Sequence, residues 1–599
     1  MWLINTDTLT LKEVTGPFAH DYAILSHTWG SDEITFQDIR SSERHEIKKK
    51  KGFSKVAKTC EIAHQQGLEY AWIDSCCIDK SSSAELSEAI NSMFAWYQHS
   101  KVCFAFLSDL QPCDSKDVAS KISFPYTEET FGRCHWFTRG WTLQELIAPD
   151  NIEFYNCEWK QFSRKTDCLN ILSNITGISY AVLQDSSSLR HTPVAVKMSW
   201  AATRDTTRVE DRAYSLLGIF DINMPMIYGE GDKAFRRLQE EIARETNDLS
   251  LFAWRACPHT EGKSQIFRGL FATSPSEFSS CATITKSVAR HDTQQEFSLT
   301  NKGVRIQTKL FKHADNAYIM SLGLTLATGI PVCISLTRTT DGFVRNEPWS
   351  LEYERAVTNA DTTRELFTIH VRKDVSPQED SALRKRMHRS FRITFELPAS
   401  LKLEMVVPDP KYLWDSFHST FLSNDSSKSS AARLKIIIRG TDGNFSEEFP
   451  LVLILGWTRT LQKPFAVLYG ATKSADTARG AVRDVLPTDF PDLIGDDVDW
   501  GHGRQDIFEN AVSTVFSTPR FQAMEVQFIN AKMMVLHRGV RKSSAYVARF
   551  HAKLESRCDD ADVITYHVCL SGLLSRLEGR EAVSNAYTHV LATNSSLEE

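Results

Sequence analysis

YAILSHTWG (Tyr22 to Gly30), YAWIDSCCIDK (Tyr70 to Lys80) and VCFAFLSD (Val102 to Asp109) decide the fold, because each is a short β-prone run that ends in small, polar and charged residues. Helical patterns lie between them. Gly52 to Gln66 places Phe53, Val56, Ala57, Cys60 and Ala63 at spacings of three and four, and Glu85 to Ser100 sets Leu86, Ala89, Ile90, Met93, Phe94 and Tyr97 on one stripe. A short helix from about Trp141 to Ile147 is stopped by Pro149, and a strand at Ile152 to Tyr155 follows. Strand and helix thus alternate through about residue 160, the signature of a parallel sheet covered by helices and hence of an α/β fold.

Residues 160 to 255 read as a helical extension, with Ala213 to Ile219 and Lys233 to Glu245 as its helices and Phe235, Leu238 and Ile242 turned inward. From about 265 the texture changes to short alternating runs such as Gly303 to Leu310 and Arg433 to Arg439, which predict a β-rich, sandwich-like region. The predicted division is therefore 1–255 (core about 20–160, extension 160–255), a β-rich 256–490, and a mixed α/β segment 491–599. Leu422 to Ala432, rich in Ser and Asp, reads as a loop.

Composition narrows the class. With 42% apolar and 24% charged residues the 599-residue chain is of ordinary globular type, and a formal charge of -6 gives no reason to expect nucleic acid. No apolar run approaches the roughly 20 residues a membrane span needs, and the N-terminus lacks signal-peptide character, so a cytoplasmic protein is expected. Its 13 cysteines, an odd number without framework spacing, then read as reduced thiols.

In an open parallel sheet, ligands bind beyond the carboxyl ends of the strands. Those positions hold Ser26, His27, Thr28, Trp29 and Gly30, then Asp74, Ser75, Cys76, Cys77, Asp79 and Lys80, then Ser108 and Asp109; Trp141 and Glu145 lie four apart on the following helix. Each has a plainer alternative. Thr142 to Glu145 is an S/T-x-x-E capping box, in which the carboxylate only satisfies backbone donors. His27 is as readily structural, Cys76 and Cys77 read better as buried small hydrophobes than as nucleophiles, and Lys48 to Lys51 as a solvated helix entrance. No compact ligand set suggests a metal. A P-loop, a G-x-S-x-G elbow and GxGxxG are absent, and Gly470 to Ser474 lacks the spacing of a phosphate cradle.

The stretches already quoted, with WFTRGWTLQELIAP (Trp136 to Pro149), RDTTRVEDRAYSLLGIF (Arg204 to Phe220) and IYGEGDKAFRRLQEEI (Ile227 to Ile242), resemble the heterokaryon-incompatibility (HET) domain in order and spacing over residues 1 to about 255. That resemblance implies a programmed cell-death effector of fungal self/non-self recognition. The HET domain in turn looks like a divergent Toll/interleukin receptor (TIR) domain, a flavodoxin-like parallel sheet with helices on both faces. WTLQEL here is similar to the W-C-x-x-E-L helix of that family, with Thr142 in place of its cysteine and a long insertion at Leu110 to Cys134. The TIR likeness implies a catalytic Glu145 that cleaves NAD at the nicotinamide–ribose bond with no other cofactor, and homo-oligomerisation. It would gather Ser26, His27, Trp29, Gly30, Asp74, Ser108 and Trp141 around the NAD, with Trp29 or Trp141 stacking on a base. The rival reading is a non-catalytic adaptor that assembles with an activating protein. Arg204, Arg208, Glu210, Asp211, Arg212 and the Tyr228 to Gly231 turn would then be a contact face or structural ion pairs.

Overall fold

The computed structural model of the chain describes residues 1–41, 47–113, 124–256, 265–286, 296–312, 317–351, 366–387, 390–422, 431–442, 445–457, 464–470, 514–516, 523–530, 534–537, 540–558 and 564–578. Two compact units are present: Met1–His313 with Ala317–Thr337 and Phe343–Val375, and Ala314–Asn316 with Arg338–Gly342 and Ser376–Glu599.

The first unit opens with a seven-stranded sheet of β1 (Trp2–Asn5), β2 (Leu11–Glu13), β3 (Tyr22–His27), β4 (Tyr70–Trp72), β5 (Val102–Phe106), β6 (Ile152–Tyr155) and β7 (Gln161–Arg164), in the order β2-β1-β4-β3-β5-β6-β7. The four middle strands are parallel, as the alternating pattern predicts. The edges β2 and β7, and β1 next to β2, pair antiparallel. Ala23 faces Ala71 on one side and Val102 on the other, so the chain steps from β3 to one neighbour and then crosses to the opposite one. That reversal leaves a crevice at the carboxyl ends of the strands.

The helix Ser83–Gln98 positions that crevice. Ser82 caps it by accepting from the backbone N–H of Glu85, and Ala89, Ile90, Met93, Trp96 and Tyr97 are buried. Two phenols fix it to the sheet: Tyr97 donates to the Leu25 carbonyl (2.9 Å), while Tyr22, on β3, donates back to the Trp96 carbonyl (2.6 Å). Trp72 meets Trp96 and Tyr97 edge-on at 5.6 and 5.9 Å. Burying aromatic faces of this size contributes roughly 1.5–3 kcal/mol each.

Residues 165–252 are largely helical, but Ala213 to Ile219 is not one helix. It is two short ones, Asp211–Tyr214 and Leu217–Phe220. Ala213, Tyr214, Leu216, Leu217 and Ile219 are all buried, more apolar residues than one face of a single helix would cover, and the break lets both halves bury theirs. Gly218 packs so closely on the preceding helix that a Cβ there would lie 2.1 Å from that of Phe94. Lys233–Glu245 is the expected amphipathic helix.

The sequence-based boundary at 255 falls inside the first unit, which continues to Val375. Arg345 shows why: fully buried, it donates to the Phe252 and Trp254 carbonyls (3.1 and 2.5 Å) and lies 3.8 Å over the Trp254 ring. In the second unit, the four-stranded sheet Leu401–Asp409, Ala431–Asp442, Phe445–Trp457 and Pro464–Gly470 accompanies a larger one that includes Phe391–Glu396, Val540–Cys558 and Ile564–Glu578. Ile436 and Leu453 of the first sheet and Phe550 and Leu570 of the second share one core cluster, so sandwich-like packing draws on strands well beyond 490. Among the described residues of 491–599 all regular structure is strand. Most of the Leu422 to Ala432 stretch, residues 423–430, and residues 471–474 of the Gly470 to Ser474 stretch lie outside the described residues; Ala431 and Ala432 already belong to a strand.

Candidate active site

Four elements converge where the crevice opens: the end of β3, the turn after β4, the helix Ser83–Gln98, and the helix Thr142–Ile147, all of whose residues are buried. Glu145, 4% exposed, sits on the last of these. Its Oε2 accepts from Ser26 Oγ at 2.5 Å, and Ser26 Oγ accepts from the indole Nε1 of Trp136 at 2.7 Å. An indole N–H only donates, so the single hydroxyl proton of Ser26 is directed at Glu145. Burial pushes the Glu145 carboxyl up to about 8; the Asp74 charge adds to this, while bonds from Ser26 and Tyr97 and the Arg139 charge oppose it.

The capping-box reading does not hold. Trp141, not Thr142, is the cap residue, without a side-chain bond. The Thr142 hydroxyl donates to the Trp136 carbonyl (2.5 Å) and accepts from Arg204 (3.1 Å), whose guanidinium also holds the Arg139 and Trp200 carbonyls. Buried Arg204 therefore braces the start of the helix that carries Glu145, and buried Lys165 donates to the Ile147 and Pro149 carbonyls at its far end. Burial lowers both cations, Arg204 to about 10 and Lys165 to about 8. Arg204, expected in a contact face or a structural ion pair, instead binds carbonyls and a hydroxyl, and Lys165 is not singled out in the sequence.

Glu145 faces a cavity of 340 Å³. Across it, His27 Nε2 and Trp29 Nε1 both bind the Asp74 carboxylate, at 3.1 and 2.8 Å, and the Lys80 ammonium lies 3.6 Å over the Trp29 ring. Burial by itself would raise the Asp74 carboxyl, but His27, Lys80 and Trp29 together hold it below its ordinary value. Trp141 and Tyr228 bond to Asp211, whose carboxyl burial keeps raised.

Of the residues expected around a ligand, His27, Trp29, Asp74, Trp141 and Glu145 do line one cavity. Ser26 is fully buried behind Glu145. Gly30 stands aside, its N–H bonded to Glu33 (2.6 Å), and exposed Ser108 is not among the lining residues. Cys76 and Cys77 are buried outside the lining, and burial raises the Cys77 thiol. Lys48 and Lys49 are exposed and Lys50 pairs with Asp38 (2.8 Å). Arg139, Thr207, Arg208 and Tyr228 line the cavity although the sequence assigned them no ligand role. The charged motif around 210 is mainly structural: Glu210 accepts from the N–H groups of Gly229 and Gly231, both at positive φ (101° and 60°), and Arg237 pairs with Glu230. Among the described residues no group of three His, Cys, Asp or Glu side chains is placed to hold a metal, and no helix is long and apolar enough to cross a membrane.

The family model for heterokaryon incompatibility protein (HET) matches residues 22–130, the segment that supplies β3, β4, β5 and the helices between them. Vegetative incompatibility protein HET-E-1 of Podospora anserina is 42% identical over 232 residues. Residues 22–130 are thus similar to a HET domain. The alignment covers 38% of this chain and only 16% of that relative, so the chain shares with it a module and not a whole architecture. Glu145 lies past the residues that the HET model matches. A domain of unknown function (DUF8212) matches residues 233–315. No solved structure matches the chain.

Proposed function

We propose that this protein is a cell-death effector of heterokaryon incompatibility, and that it acts by hydrolysing NAD at the nicotinamide–ribose bond. The incompatibility role rests on the HET match and on the name of the Podospora relative. The chemistry rests on one observation: a buried carboxyl, raised to about 8, facing a ligand-sized cavity at the carboxyl end of a parallel sheet. The TIR likeness of the WTLQEL helix points the same way.

In this reading the C1′–N1 bond breaks with its electron pair passing to the pyridinium nitrogen, which leaves as neutral nicotinamide. The anomeric carbon becomes oxocarbenium-like and is stabilised by ionised Glu145. Water adds to that carbon and releases a proton, giving ADP-ribose. The positive nicotinamide ring itself favours the Glu145 carboxylate, so substrate binding helps to ionise the group that the reaction needs.

NAD loss with nicotinamide release by the full-length protein is the test. Glu145→Gln should reduce it by at least about a hundredfold. Undiminished turnover, or undiminished death activity, in folded Glu145→Gln protein rejects the reading. Trp29, Val209 and Ile227 are exposed by 49%, 41% and 50%, which favours assembly through this face as the second reading. Turnover that rises steeply with protein concentration would join the two; assembly without turnover would leave the adaptor.

A further inference from the structure

The cavity is polarised by depth. Its carboxylates lie inward: Glu145 is buried and Asp74 and Asp211 are half-buried. Two of its cations lie outward, the exposed Lys80 and Arg208, while Arg139 is half-buried like the two aspartates. Among the described residues none of these three makes an ion pair. Lys80 rests on Trp29, Arg139 donates to the Thr207 hydroxyl (3.3 Å), and Arg208 lies 4.4 Å over Tyr228, while their charges still favour the ionised forms of Asp74, Glu145 and Asp211. A ligand matched to this arrangement is positive at its inner end and negative where it crosses the rim.

Volume sharpens the match. At 340 Å³ the cavity is near the lower end of ligand sites, which run from about 300 to 1,000 Å³. It suits one nucleoside half of a dinucleotide, and the other half then lies outside. The linking diphosphate of such a ligand falls at the rim. Guanidinium forks suit phosphate oxygens, and two of the three rim cations are arginines.

We propose that Arg139 and Arg208, with Lys80, form a diphosphate subsite that holds a pyridinium dinucleotide with its nicotinamide end inward, toward Glu145, Asp74 and Asp211. The proposal rests on the glycohydrolase reading for the identity of the inner group. It adds an orientation and an exit: cleavage turns the cationic ring neutral, so nicotinamide loses its attraction to the carboxylates while ADP-ribose stays held by the rim.

Two substrates separate the subsite from the chemistry. Full-length wild type, Arg139→Ala and Arg208→Ala are compared on NAD and on nicotinamide riboside, which has the same scissile bond and no phosphate. Each variant should lower kcat/KM for NAD by about tenfold or more; Arg208→Ala should leave the riboside within about twofold, and Arg139→Ala, which also removes a charge that favours ionised Glu145, should lose clearly more on NAD than on the riboside. Equal losses on both substrates would overturn the proposal. Direct titration of ADP-ribose into the same proteins needs no turnover. Weakening by about tenfold in folded variants upholds the subsite even if NAD is never cleaved, so that failure of the chemistry alone stays visible. Unchanged ADP-ribose affinity, or no binding to wild type, removes the subsite.

Discussion

Replacing Glu145 with glutamine should stabilise the protein, and increasingly so as the pH rises. Folding lifts this carboxyl from its ordinary 4.5 to about 8. The folded chain thus holds the proton more tightly than the unfolded chain. The resulting stabilisation is fully present below 4.5 and is lost as the pH climbs through about 8. The span is 8 − 4.5 = 3.5, and at about 1.36 kcal/mol per unit it amounts to on the order of 5 kcal/mol. Glutamine has the same shape and no such proton, and its side-chain carbonyl still accepts from Ser26. Any fixed difference from altered bonding is the same at every pH, so only the change with pH is read. At about 2 °C per kcal/mol, the melting temperature of Glu145→Gln relative to wild type should rise by on the order of 10 °C between pH 5 and pH 9, as followed by calorimetry of the full chain. A gap that stays within about 2 °C over that range would refute the inference that Glu145 is held protonated by burial.

Ser26→Ala removes a hydrogen bond that favours ionised Glu145, so the rising limb of kcat/KM against pH, set in wild type near 8, should move up by about one unit. An unmoved limb would mean that the hydroxyl does not tune the carboxyl, whereas Ser26→Thr, which keeps the donor, should restore it. Gly218→Ala forces a methyl group onto the Phe94 Cβ and should cost about 1–3 kcal/mol in denaturant unfolding, with the loss persisting when Phe94→Ala is added, because alanine keeps that Cβ, and relieved only with Phe94→Gly.

Much of the first sheet was legible because its interior strands are local signals. YAILSH, YAW, VCFAF and IEFY are buried throughout, and each reads as a strand without knowledge of its neighbours. The edges were not. Leu11–Glu13 and Gln161–Arg164 are short and polar, and only pairing makes them strands. The same distinction governs the site. His27, Asp74 and Glu145 announce themselves by type and by position after a strand or on the following helix. Trp136 reads as one more core aromatic, and nothing nearby in sequence indicates that its N–H sets the direction of the Ser26 proton, 110 residues away. The Thr142–Glu145 spacing even points to the wrong partner, because a capping box can be judged from four residues whereas the competing bond to Ser26 spans 119. The partners of Arg204, which the sequence suggests as an ion-pairing residue, and Lys165 altogether escape for the opposite reason, since their side chains bind carbonyls and a carbonyl leaves no mark in sequence.

Arg345 makes the transplantable cassette longer than its visible signature. The motifs end near 250, yet the Phe252 and Trp254 carbonyls and one face of the Trp254 indole are covered by a guanidinium that arrives 93 residues after the first of them. A gene fusion just past Trp254 would strand those groups. Recombination among modular genes should therefore keep working chimaeras when the junction falls after Val375 and discard those joined at the apparent boundary.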